Sequence, residues 1–429
     1  MTRFFNALGP GLLFAGAAVG VSHLVQSTRA GASFGFALIG IVIFANIYKY
    51  PAFSFGARYA AATGTSLLQG YRNQGRWALA LYGFVTLATM FTVQAAVTLV
   101  SGALALNLIG LAGIELPKSA WSLTIACAVL LAICASLLVV GRYRWLQRII
   151  NATIVVLVLA TLSATVLALT KLDTSSVTLL PPSSIVDQRM TMIAMVALIG
   201  WMPSAFDVSI WQSLWTLARG RDTGSPAAVP DVMRDFKIGY WGTAILALSF
   251  LTLGASVMHT QGASFSPAAP VFVGQVISLF TEQLGSWSLP LIAASAFTVM
   301  FSTTLTVVDG FPRAIATLKD RLSSDEVRET QREVVRKPYW MALLVLGIGS
   351  LIVIHSFLGD LKSMVDLATS LSVLTAPVLA WLNHRAVFAD RAMGEGRPGK
   401  RMMAFSWFGI AASLALVAYY LWALAMPAG

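Results

Sequence analysis

From residue 8 to residue 426 the sequence is a succession of apolar runs, most of them longer than the roughly 20 residues a helix needs to cross a bilayer. This feature limits the fold more than any other. Inside lipid every backbone N–H and C=O must be satisfied within the protein, so runs of this length are read as membrane-spanning helices. Eleven segments qualify, centred on 8–28, 34–60, 78–110, 120–140, 146–169, 191–217, 239–259, 288–310, 340–357, 362–383 and 405–426. The predicted class is therefore an all-α, multi-pass integral membrane protein. Composition agrees: 11% of residues are charged, against about 25% in soluble domains.

The stretch Ala268–Phe280 is apolar but short, and it follows Pro267 and Pro270. It is expected to be interfacial or re-entrant. No small-residue cleavage site ends the first apolar run, so no cleavable leader is expected. Cys127 and Cys134 lie in one apolar segment without zinc-type spacing and are read as small buried hydrophobes. A net charge of +11 would suggest nucleic acid in a soluble protein. Here it reports basic loops on one membrane face, and the partners expected are the lipid membrane and a small inorganic or organic solute, with no nucleic acid and no cofactor.

Loops after even-numbered segments hold 21 Lys and Arg residues, and loops after odd-numbered segments hold 5. The positive-inside rule then places the N-terminus in the cytoplasm and, with an odd number of spans, the C-terminus outside. Lys49 and Arg58 fall in the second span and are expected to snorkel toward its cytoplasmic half. The charged loop Asp320–Lys337 offers Ser324 as the cap of a short helix.

The sixth apolar run is interrupted by Gly200-Trp201-Met202-Pro203-Ser204-Ala205-Phe206-Asp207. Proline has no amide proton and clashes with the preceding turn, so a helix does not pass through Pro203 unbroken. Ser204 and Asp207 read as a Ser-x-x-Asp cap that restarts a helix. The first run is interrupted too, by Gly16, Gly20, Ser22, His23 and Gln26. Irregular backbone at membrane depth is tolerated where it lines a cavity or is buried in protein. Two broken segments five spans apart lie in halves of opposite topology, the arrangement of an inverted-repeat transporter with a midplane site. The expected organisation is one five-helix repeat over 1–170, a second, inverted one over 190–384, and a loop with an eleventh helix over 385–429.

Several short motifs, in order, resemble the NRAMP divalent-metal transporters. Gly9-Pro10-Gly11-Leu12-Leu13, Arg29-Ala30-Gly31-Ala32 and Phe34-Gly35-Phe36 are similar to the family's first span. Arg58-Tyr59 with Thr63-Gly64-Thr65 is similar to the end of the second, and Ala105-Leu106-Asn107-Leu108 to the end of the third. Met202-Pro203 resembles the start of its MPH motif, and Val308-Asp309-Gly310-Phe311 a patch in its eighth span. The resemblance implies a leucine-transporter-type fold and a divalent metal such as manganese, iron or magnesium as solute. The sequence departs from the family at the ligands. The four positions of its DPGN motif are Gly20, Val21, Ser22 and His23 here. The histidine of MPH is Ser204. The third-span acids linked to proton movement fall at Ala95 and Thr98.

Replacement ligands are therefore sought. Asp207 and Asp366 are the intramembrane carboxylates nearest the breaks, and such groups mark function by default. His23 offers an imidazole nitrogen, Met202 a thioether, and the carbonyls near Gly20 and Ile199 oxygen donors. The candidate solute site is thus Gly20, Val21, His23, Ile199, Met202, Ser204, Asp207 and Asp366, with His23, Met202, Asp207 and Asp366 as candidate metal ligands. Asp207 serves either as a helix cap or as a ligand. Asp309 pairs with Arg313 or acts in gating. Trp201, Trp211 and Trp215 are read as wall residues. The function expected is secondary transport by alternating access, of a divalent metal or, on the same scaffold, of an amino acid or small organic cation. An enzyme is not expected, because His23, His259, His355 and His384 sit in separate segments and build no catalytic cluster.

Overall fold

The computed structural model describes residues 10–114, 120–140, 144–172, 177–179, 189–224, 228–323 and 337–426. Among them the secondary structure is helical throughout. In chain order the helices are α1 (Pro10–Ala18), α2 (Thr28–Phe34), α3 (Ile39–Thr63), α4 (Leu67–Gln74) and α5 (Arg76–Leu111). Then come α6 (Ala120–Val140), α7 (Arg144–Thr170), α8 (Arg189–Gly200), α9 (Asp207–Thr223) and α10 (Val229–Leu253). The last are α11 (Ala269–Leu284), α12 (Leu289–Ser323), α13 (Lys337–Ser356), α14 (Leu361–Ala389) and α15 (Lys400–Ala425). Wide, π-type turns link α1 to α2 over Val21–Ser27 and extend α10 over Gly254–His259.

Seven stretches among the described residues are long and apolar enough, as single helices, to cross a membrane. They correspond to α5, α6, α10 with its π-type extension, α12, α13, α14 and α15. The two interrupted spans fall into shorter pieces. α10 starts well before the expected residue 239, because Pro230 in its first turn removes an amide that has no intrahelical partner anyway. The apolar stretch after Pro267 forms α11. Its Phe272, Val273, Val276, Ile277 and Phe280 are buried, and it packs on α5, α7 and α12. The helix expected after Ser324 lies outside the described residues. Cys127 and Cys134 are buried free thiols.

α5 and α12 run along one another at the centre, with α9 crossing α3 and α1 lying along α10. Glycine lets α2 and the end of α10 approach closely. A Cβ on Gly31 would sit 2.0 Å from the Leu251 carbonyl oxygen, and one on Gly254 would sit 2.2 Å from that of Thr28. Small residues let helix backbones meet where lipid provides no hydrophobic drive between helices. This double contact clamps α2 to the end of α10.

Both interruptions are present, with different bounds from those expected. In the first span helical geometry lapses only at Val19–Gly20, and Val21–His23 already belong to the π-type turns. In the sixth span the chain is unwound from Trp201 through Phe206. No side chain caps α9. Ser204 lies too far ahead of the first helical residue, Asp207, to reach its free amides, so the proposed Ser-x-x-Asp cap does not form. α12 runs unbroken through Asp309, Gly310 and Pro312.

Candidate functional site

The two interruptions meet. The Ser22 hydroxyl lies 2.6 Å from the Ala18 carbonyl at the first break, and 3.3 Å from the Pro203 carbonyl in the second. Beside this contact is a cavity of about 30 Å³, room for one or two waters. Val21, Val93, Val97, Val208 and Val307 make most of its wall, with Trp201 and Trp211. Ser22, Ser204 and Thr303 bring hydroxyls to it. The Trp201 indole donates to Ser372 on α14 at 2.7 Å, which ties the unwound segment to that helix.

The expected site residues fare differently. Val21 and Ser204 line the cavity. Gly20 has no room for the family's carboxylate: a Cβ there would lie 2.7 Å from Thr303 Cγ2. The Thr303 hydroxyl instead donates to Gly16 at 2.7 Å, so a side chain of α12 closes the break in the first span. His23 is fully buried and turned away from the cavity. Its Nε2 lies 2.9 Å from the Thr243 carbonyl and therefore carries the hydrogen, and its Nδ1 lies 2.8 Å from the Ser22 hydroxyl. Held by Thr243 through Nε2 and with Nδ1 against Ser22, His23 is a strut between the π-type turns and α10. Met202 belongs to a buried cluster with Ala30, Leu38, Val42, Leu198 and Leu251 and does not line the cavity.

The two carboxylates are far from each other in role. Asp366 faces Arg29 at 3.5 Å, across from α2 to α14, beside a separate small cavity with Gln26 and Ser33. Asp207 is buried and absent from the central lining. Its Oδ1 has no hydrogen-bond partner among the described residues, and the hydroxyls of Tyr71 and Tyr82 lie within electrostatic range. Tyr71 donates to Asn383 at 2.5 Å, whereas the Tyr82 hydroxyl is also without a partner. No three His, Cys, Asp or Glu side chains among the described residues converge as a metal cluster.

Asp309 and Arg313 pair along α12 through two hydrogen bonds of 3.0 and 2.8 Å. The Asp309 carboxylate also accepts from Tyr339 on α13 at 2.8 Å and from Trp215 on α9 at 3.3 Å. One buried ion pair thus joins three helices. Gly310 beside it leaves space for the Trp211 ring, whose Cδ2 would lie 2.5 Å from a Cβ at that position.

The residue that the sequence reading placed wrongly is Lys49. It is 1% exposed and does not snorkel. From α3 its ammonium donates to the carbonyl of Ile199 and, at 3.0 Å, to that of Gly200, the free carbonyl end of α8. The Ile199 oxygen expected to face a metal faces a lysine. The Phe206 ring lies 5.3 Å from Nζ. A lysine in mid-span was the available signal, because a charge that costs several kcal/mol to bury needs a partner more than an exposed one does.

Residues 11–423 match the family model described as natural resistance-associated macrophage protein-like (Nramp). The chain belongs to the Nramp family. An uncharacterised protein of Pasteurella multocida is 32% identical over 430 aligned positions, which cover 99% of this chain and 93% of that one. Among solved structures, a mutant of the Eremococcus coleocola manganese transporter superposes with a TM-score of 0.63 at 17% identity, over 97% of this chain and 86% of that one. MhsT in complex with L-phenylalanine superposes with a TM-score of 0.64 at 13% identity, over 97% and 98%. At such identities the likeness establishes a shared leucine-transporter fold. This Nramp-family chain is therefore an integral membrane protein of a transporter family, with the family's scaffold and an altered centre.

Proposed function

We propose that the protein is a secondary transporter working by alternating access, with its solute held between the two interrupted spans. The observation that carries this reading is the meeting of the two breaks at Ser22 and Pro203 beside a cavity. Irregular backbone at this depth is retained where solute and coupling ions bind. Polar links toward either end of the joint, Arg29 with Asp366 and Asp309 with Arg313, supply contacts that can break and re-form as access alternates. In the orientation set by the basic loops the Arg29 pair is external and the Asp309 pair cytoplasmic.

Family membership makes a divalent metal, manganese, iron or magnesium, the first solute to test. A specific observation favours a second reading. The cavity lining holds hydroxyls and apolar groups but no carboxylate, and a dication ordinarily draws on negative charge. An amino acid or a small organic solute suits that lining. Uptake into proteoliposomes separates the two. Manganese entry that competes with magnesium and ignores amino acids supports the metal. Amino-acid entry unaffected by divalent ions supports the organic solute. Neither solute crossing above empty liposomes, across a panel of both classes, would remove the transport reading.

A further inference from the structure

A helix that stops in mid-membrane exposes carbonyl oxygens with no following turn to donate to them. The end of a helix also carries the equivalent of about half a negative charge. In α8 that end is Gly200 and Ile199, at the interruption of the sixth span, where the Ile199 carbonyl keeps one turn-type bond from the Met202 N–H at 3.1 Å. Oxygens gathered in this way are the kind of donor set that holds a small hard cation. Here the set is already filled. Lys49 reaches across from α3, and its Nζ donates to both carbonyls. Nothing else accounts for its charge. Among the described residues it forms no ion pair, and its other neighbours are the faces of Phe206, 5.3 Å away, and Tyr48, 5.8 Å away. The site is sealed, since Lys49 is 1% exposed and Ile199 is buried.

We propose that the Lys49 ammonium is a resident cation, covalently tethered in the position where the carbonyl end of α8 would otherwise hold a free ion. The proposal rests on the reading that the joints form the solute site and adds what occupies one half of it. A tethered ion has no translational entropy to lose on binding, so a free cation must displace it at a large disadvantage. The wild-type carbonyl end therefore takes no free ion. Shortening Lys49 should recreate an ion site, selective for a single small charge because two neutral carbonyls supply no formal negative charge.

The test uses the full-length purified protein in detergent. Melting temperature is measured for wild type, Lys49→Ala and Lys49→Met at constant ionic strength in choline, sodium, potassium, methylammonium and manganese chlorides. Lys49→Met fills the space but leaves the Gly200 carbonyl without its donor and the Ile199 carbonyl with the Met202 N–H alone, so it should melt roughly 5 °C or more below wild type in every salt. Lys49→Ala should melt as low in choline and recover, saturably, in methylammonium or a small alkali cation. Should Lys49→Ala fold only when prepared with methylammonium, that dependence is the same result read as yield. Lys49→Met melting at the wild-type temperature overturns the proposal. So does a Lys49→Ala variant whose response to every cation equals that of wild type. These readouts need no flux, so a protein that transports nothing in liposomes leaves this result standing, and a failed rescue leaves the transport reading to its own assay.

Discussion

The two ends of the sixth-span interruption present opposite chemistry. At the carbonyl end, Ile199 and Gly200 are satisfied by a buried ammonium from another helix. At the amide end, Asp207 opens α9 with no capping side chain, and one of its oxygens is without a partner. One end is closed by a fixed charge of the sign its dipole favours. The other carries a carboxyl group whose hydrogen bonding is incomplete. A fully satisfied polar group holds a structure in place, whereas an incompletely satisfied one invites a ligand, a water or a proton. The rigid half of the joint is therefore the α8 side, and the responsive half is the α9 side.

The sharpest way to break this contrast is to restore the family's charge on the wrong side. Gly20→Asp puts a carboxylate against Thr303 in a buried position and should cost about 3–5 kcal/mol. A chemical-denaturation curve checks it, and a variant as stable as wild type would mean that the break in the first span has room for a ligand after all. Next in size is Asp207→Asn. Replacing an incompletely bonded buried carboxyl by an amide should leave stability unchanged or raise it by about 1 kcal/mol, while transport is lost. A fall of several degrees in melting temperature would instead place Asp207 in a satisfied network like that of Lys49.

A smaller effect is expected at the pair Arg29 and Asp366, which is 3.5 Å apart and partly exposed. A double-mutant cycle with Arg29→Ala and Asp366→Ala should give a coupling of about 0.5–1 kcal/mol. A coupling near zero would exclude the pair as a gate. The smallest effect is the control at Asp390, a carboxylate outside the spans. Burial alone would raise its pKa, but hydrogen bonds from Tyr59, the Ala392 N–H and Asn73 hold it below the usual carboxylate range. A depressed folded-state pKa stabilises the protein above the unfolded value and loses that contribution as pH falls through the folded one. The difference in melting temperature between wild type and Asp390→Asn should therefore be constant near neutrality and shrink below about pH 4. A difference that grows on acidification would contradict the sign of the shift.

By itself the sequence determined the class, the breaks and the family. Apolar runs must become helices in lipid, and Pro203 must interrupt one, because both follow from local backbone chemistry. The ordered motifs from Gly9 to Phe311 pointed to Nramp because they recur in linear order. The contents of the centre depended on neighbours distant in the chain. Lys49 and Ile199 are 150 residues apart. Thr303 fills the space at Gly20 from a helix near the other end of the chain, and Thr243 takes the imidazole of His23 from a third. Asp366 turned to Arg29 and away from the joint, although its position in the sequence allowed either. Periodicity tells which face of a helix is apolar. Which donor meets which freed carbonyl is settled by how the helices cross, and that was decided by the tertiary structure alone.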